Sequence, residues 1–282
     1  VRTIEVPSER DVVGSSFSFP EGLRWRDGHL WFSDMHTGDV YRLEPDAGEL
    51  VKQLVVEDQP SGMGWLPDGS MLLSLMLSRR ILRIWPDGST SIHADLSALT
   101  EYPVNELVVD ELGRGYLGTF GYDIYAGDPL QQASVYRVDP DGSVTEAADA
   151  FDFPNGSVIL PGTNTLVIAH SFRPELTGFE IAADGTLVNR RVWAVLPEGT
   201  TADGLAVDSQ GRIWVSSILT HEFLQVQEGG NVLTRVTTPG RLAVDCVVDG
   251  RSDEVLYIST STSIQPAETK GRLGTIQRVR LA

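Results

Sequence analysis

Thiol chemistry is nearly absent from this chain. One cysteine, Cys246, cannot close an internal disulfide, and thiolate zinc sites and disulfide scaffolds are excluded with it. Positive charge is scarce as well. The 22 Lys and Arg are outnumbered by 39 Asp and Glu, for a net charge of −17. Such a surface repels phosphate backbones and anionic lipid, so neither nucleic acid nor a membrane surface is an expected partner. The acidic residues form no long block that would act as a tail. No apolar run is long enough to span a bilayer, and Val1–Pro7 has no signal-type apolar core, so a cytoplasmic protein is the expectation. Helical periodicity of any length is missing. So are a G-x-S-x-G elbow, an H-E-x-x-H helix and a phosphate-cradling glycine loop.

What the chain does contain is a repeat. Six times a polar residue opens a short alternating stretch, followed by a turn and a β-rich apolar run. The openings are Glu21-Gly22-Leu23, Ser61-Gly62-Met63, Asn105-Glu106-Leu107, Asn155-Gly156-Ser157, Asp203-Gly204-Leu205 and Asp245-Cys246-Val247. A spacing of roughly 40–50 residues with Asp-Gly turns is the period of a four-stranded propeller blade, and β-solenoid rungs are far shorter. The sequence therefore predicts an all-β protein, a six-bladed β-propeller forming a single domain over 1–282. The last copy lacks a fourth strand, and Thr3-Ile4-Glu5-Val6 is expected to supply it, so that the N- and C-terminal segments close the ring.

First strands of propeller blades line the central channel, so the six opening residues are expected to converge on the axis. All six bear oxygen, and no Lys or Arg stands at any of these positions to neutralise Glu21, Asp203 and Asp245. Buried carboxylates are costly unless paired or bound to a cation. Carboxylate and amide oxygens select hard divalent ions. Glu21 and Asp203 balance a dication, and Asn105 and Asn155 add neutral donors. Four protein oxygens leave part of a calcium shell to water or substrate. Any one Asn-Gly or Asp-Gly pair is also an ordinary turn; recurrence at one blade position favours the metal.

From Phe19-Pro20-Glu21-Gly22 to Asp245-Cys246 the chain resembles the SMP-30/gluconolactonase family of metal-dependent lactonases. The resemblance places the family's metal ligands on Glu21, Asn105, Asn155 and Asp203. It implies one divalent cation, Ca²⁺ first, with Zn²⁺, Mg²⁺ or Mn²⁺ as alternatives, and hydrolysis of a lactone or related ester. It also makes Asp203 both ligand and general base. Whether Asp203 or a water activated by the ion does the work is left open.

Two departures stand out. Pro103 replaces the arginine that grips a sugar hydroxyl in sugar-lactone members, and Glu106 replaces the usual Asp after the third-blade Asn. Phe19, Met63, Phe120, Tyr122, His170 and Phe172 are expected around the mouth as substrate contacts, with Met76 nearby. Their apolar character points to a more hydrophobic substrate than a sugar lactone. Histidines His36 and His170 follow second strands and are candidate assisting bases, with Asp34 a supporting carboxylate. A non-hydrolytic binding propeller with a structural ion is the alternative function, and a condensing enzyme of strictosidine-synthase type a more distant one. A monomer or small homo-oligomer is expected.

Overall fold

The computed structural model describes residues 1–6 and 11–281. These form six β-sheets arranged as the blades of a propeller, with Met35–Thr37 as the one helical turn among the described residues. The innermost strands are Pro20–Arg26, Pro60–Trp65, Val104–Val109, Pro154–Ile159, Ala202–Val207 and Leu242–Val248. Successive strands of each blade pair antiparallel from the axis outward, as the Asp-Gly turns and alternating apolar positions require.

The ring closes through the N-terminal segment, but not through the stretch expected. Val12–Phe17 is the outermost strand of the last blade, pairing antiparallel with Gly274–Arg280. Arg2–Glu5 instead joins the preceding blade as a fifth strand, parallel to Val232–Thr237. Packing explains the division. Phe17 is buried and meets Phe32 edge-on, with ring centroids 4.9 Å apart. Ile4 and Val6 lie against the apolar cluster of Trp214, Phe223, Val236 and Ile258 between the last two blades.

The core is distributed as wedges between adjacent blades. One joins Val158, Val167 and Trp193 to Leu205, Val215 and Leu224; another joins Leu66, Leu72 and Ile81 to Leu107, Leu117 and Val138. A separate cluster, Phe19, Met35, Met76, Phe120, Phe153 and Val244, sits over one end of the channel.

A recurrent irregularity positions the site. In every blade the pairing of the first two strands slips just after chain entry. The shifts fall between Glu21 and Arg24, Pro60 and Met63, Val104 and Leu107, Pro154 and Ser157, Ala202 and Leu205, and Ala243 and Asp245. A bulge of this kind bends the strand and re-aims one side chain. Here it falls on or beside the opening residue each time. The inner strands also crowd one another around the axis. Gly22 has φ of +64° and a Cβ there would lie 2.5 Å from the Ser61 carbonyl oxygen, so only glycine fits.

Candidate metal centre and the cavity above it

Glu21, Asn105, Asn155 and Asp203 come together on the floor of one cavity at the channel end. Their polar atoms are unequally satisfied. Asn155 Nδ2 donates to Asp203 Oδ1 at 2.6 Å and to Ser171 Oγ at 3.1 Å, and Asn105 Nδ2 donates to the Pro154 carbonyl at 3.1 Å. Both amide nitrogens are thus spent on protein acceptors. Neither amide oxygen accepts a hydrogen bond among the described residues. Glu21 Oε1 and Ser61 Oγ are buried without a hydrogen bond of good geometry among the described residues. Buried polar atoms in folded proteins are almost always paired, so this ring is short of a positive group.

The electrostatics agree. Burial, and then the Asp203 charge, push the Glu21 carboxyl well above the usual carboxylate range; Ser61 opposes the shift without a hydrogen bond of good geometry. Burial pushes Asp203 up to about 7, opposed by the Asn155 N–H and reinforced by Glu106. Two carboxylates that resist ionisation together, beside two amide oxygens without donors, fit a hard divalent cation. Among the described residues no three His, Cys, Asp or Glu side chains cluster as metal ligands, so the amide oxygens are essential to any such site.

Asp245 is not the sixth member of this ring. Val244 occupies the opening position of its strand and packs in the apolar cluster above the channel. Asp245 lies one residue further in, accepting from the Leu23 N–H at 2.6 Å and the Cys246 N–H at 2.7 Å. A Cβ on Gly204 would lie 1.8 Å from its carboxylate oxygen, so that glycine makes room for it.

Beneath the ring is a cation that the sequence did not advertise. Arg24 Nη2 donates to both Glu106 oxygens, at 3.0 and 3.1 Å, and to the Leu107 carbonyl at 2.7 Å. Its Nε reaches the Met63 carbonyl at 3.0 Å. The guanidinium therefore ties three inner strands together inside the channel. Nothing in the sequence links the two residues, which stand 82 positions apart.

The cavity over the ring has a volume of about 750 Å³ including its open mouth. Phe19, Phe120, Phe172 and Met76 line it, and so do Tyr125, Ile124, Phe153 and Leu219, which the sequence did not single out. No Lys, Arg or His lines it among the described residues. Three expected contacts do not. Met63 is fully buried between blades with Val40, Leu73 and Leu82. Tyr122 packs behind the wall, its ring 5.9 Å from Phe153. His170 is wholly buried, stacked on Phe151 at 4.5 Å with Nε2 against Thr177 Oγ1 at 2.8 Å, and burial with Arg173 and Arg190 pushes it down to about 3. Its side chain is thus held by Phe151 and Thr177 and does not reach the cavity.

His36 lies tilted against Phe19, ring centroids 4.9 Å apart, and faces a neighbouring groove with Lys270 and Arg272; burial pushes it down to about 4. Asp34 accepts the backbone N–H groups of Ser18 and Phe19 at 2.9 and 2.7 Å, which fixes the turn leading to Glu21.

The sequence pattern of the SMP-30/gluconolactonase/LRE-like region matches residues 19–262, which span all six inner strands. The chain belongs to the SMP-30/gluconolactonase/LRE-like family. The chain is 26% identical over 259 residues to the pentonolactonase XacC of Haloferax volcanii, covering 89% of this chain and 84% of that one. Its fold superimposes on a calcium-binding regucalcin of Agrobacterium tumefaciens with a TM-score of 0.81 at 17% identity, over 98% and 95% of the two chains. The gluconolactonase XC5397 of Xanthomonas campestris superimposes with a TM-score of 0.73 at 25% identity, over 95% and 88%. No helix among the described residues is long and apolar enough to cross a membrane.

Proposed function

We propose that this protein is a metal-dependent lactonase whose substrate carries an apolar substituent rather than a ring of sugar hydroxyls. Glu21, Asn105, Asn155 and Asp203 would hold the ion, Ca²⁺ by the hardness of the donor set. When bound there, a divalent cation polarises an ester carbonyl and offsets the negative charge that develops on its oxygen. The observation that carries the reading is the unmatched oxygen set on the floor of an open cavity. The lactonases among its relatives, XacC and XC5397, support it.

The chain's own residues supply the rest. Asp203 Oδ1 is held by the Asn155 amide, leaving the other oxygen to take a proton from an attacking water. Ser171 anchors that amide in turn, donating to the Ala202 carbonyl at 2.8 Å. Phe19, Phe120 and Phe172 wall the site with apolar surface, which excludes bulk water and binds hydrocarbon at roughly 25 cal/mol per Å² buried. Pro103 stands where sugar-lactone members place an arginine, and no cationic side chain among the described residues replaces it in the cavity.

The test is a substrate series. Purified protein with Ca²⁺ is assayed on γ-lactones of increasing alkyl length and on an aldonolactone. Rising kcat/KM with chain length, each above that of the aldonolactone, is the expected result. Preference for the aldonolactone would refute the apolar-substrate reading, and inertness towards every lactone would refute the hydrolase.

A further inference from the structure

Tyr125 stands on the loop that joins the strands Gly115–Thr119 and Ala133–Val138, and it lines the cavity opposite the carboxylate floor. The loop is built to present it. Asp123 Oδ1 accepts the N–H groups of Tyr125 and Ala126, both at 2.9 Å, and the Asp123 carbonyl accepts the Asp128 N–H at 3.1 Å. The residue is 39% exposed at the cavity rim, and its phenol lies in the field of Glu21, Asp203 and Asp123.

Three hydroxyl groups line this cavity. Ser171 Oγ is committed to Asn155 and the Ala202 carbonyl, and Thr201 Oγ1 accepts the Leu219 N–H at 2.9 Å. The Tyr125 hydroxyl has no hydrogen-bond partner among the described residues. It is a proton donor without an acceptor among the described residues, on a phenol long enough to reach over the largely apolar wall.

We propose that Tyr125 protonates the ring oxygen of the lactone as the acyl C–O bond breaks, acting as the acid to Asp203's base. The inference rests on the lactonase reading. Water adds its oxygen to the carbonyl carbon and gives a proton to Asp203. The acyl carbon–ring oxygen bond then breaks, and its electron pair stays on that oxygen, which takes the phenolic proton. The proton held by Asp203 returns to the phenolate through solvent, so that one water and one lactone give one hydroxy acid. Burial and the charges of Glu21, Asp203 and Asp123 push the phenol up to about 12, so it keeps its proton at neutral pH. An alkoxide is basic enough to take that proton; a phenoxide leaving group needs no such help.

The difference between leaving groups supplies the test. Tyr125→Phe and wild type are compared on δ-decalactone, which releases an alkoxide, and on dihydrocoumarin, which releases a phenoxide. The expected result is a fall in kcat of about 10²-fold for δ-decalactone, with KM and the dihydrocoumarin rate within about threefold of wild type. Equal losses on both substrates, or no loss on either, would overturn the role assigned to Tyr125 while leaving the lactonase reading intact. A wild type inert towards both lactones would refute the lactonase reading itself.

Discussion

Asn155 Nδ2 lies 2.6 Å from Asp203 Oδ1, so two side chains from adjacent blades are locked in a single orientation across the channel axis. The lock decides which atom of the amide faces the axis. With its nitrogen tied to Asp203 and Ser171, Asn155 can present only oxygen to a ligand. Asn155→Ala removes both the proposed donor and the lock. Calcium affinity measured by isothermal titration is expected to fall at least about 10-fold, with a parallel loss of lactone kcat/KM. Unchanged affinity would show that the amide oxygen is not a ligand.

Protons and a cation compete for the same carboxylates. Burial pushes the Asp203 carboxyl up to about 7 and raises Glu21 well above its ordinary value. Binding of a dication therefore expels protons at neutral pH. Calcium affinity should fall as the pH drops below about 7, and titrations in buffers of different ionisation enthalpy should show proton release on binding. The same shifts bear on stability. A carboxyl whose folded pKa is raised stabilises the fold below its unfolded pKa and loses that contribution as pH rises through the folded value. Chelation should consequently lower the Tm more at pH 8 than at pH 5.

The Arg24–Glu106 pair makes a separate prediction. Glu106 is buried, and its partner is the guanidinium that joins three inner strands. Removing one member of a buried pair strands a charge and costs about 3–5 kcal/mol, whereas replacing both is far cheaper. Arg24→Met alone should destabilise by about that amount in urea unfolding, and Arg24→Met with Glu106→Gln should recover most of the loss. Additive losses would contradict the pairing.

Repetition made the blades legible in the sequence. Asp-Gly turns, alternating runs and an opening polar residue recur at blade spacing, which makes six residues converge on the axis; singling out Glu21, Asn105, Asn155 and Asp203 among them takes charge balance and the family resemblance as well. What escaped depends on one-residue details. Asp245 and Val244 exchange roles because the bulge in the last blade falls at Val244, one position before Asp245, whereas in the second to fifth blades it begins at the opening residue itself, and a repeat read by eye absorbs such an offset. Met63 and His170 were assigned to the mouth from their place in the repeat, yet their contacts hold both in the spaces between or within blades. Thr3–Val6 and Val12–Phe17 are both extended and apolar enough to close the ring; only the fit of Phe17 against Phe32 and Tyr41 separates them. Tyr125 carries no motif, since it reaches the site from a loop whose course is set by Asp123.

His170 is buried neutral, pushed down to about 3 by burial and by the charges of Arg173 and Arg190. The unfolded chain takes up a proton near 6.5 that the folded chain refuses until far lower pH, so stability is fully present above 6.5 and is lost as pH falls towards 3. In the limit the loss is about 5 kcal/mol. His170→Gln should flatten the acid side of the stability–pH curve between those values. An unaltered curve would show that His170 does not govern acid sensitivity.

The central claim is that one divalent ion on the axis is necessary for hydrolysis. The direct measurement is δ-decalactone turnover by protein stripped with EDTA and dialysed, then titrated with Ca²⁺, alongside Asp203→Ala treated in the same way. Activity that vanishes on stripping, returns at one equivalent of tightly bound ion and never appears in Asp203→Ala is the predicted result. Full activity in the stripped protein, with its metal content verified below one-tenth of an equivalent, would contradict the account.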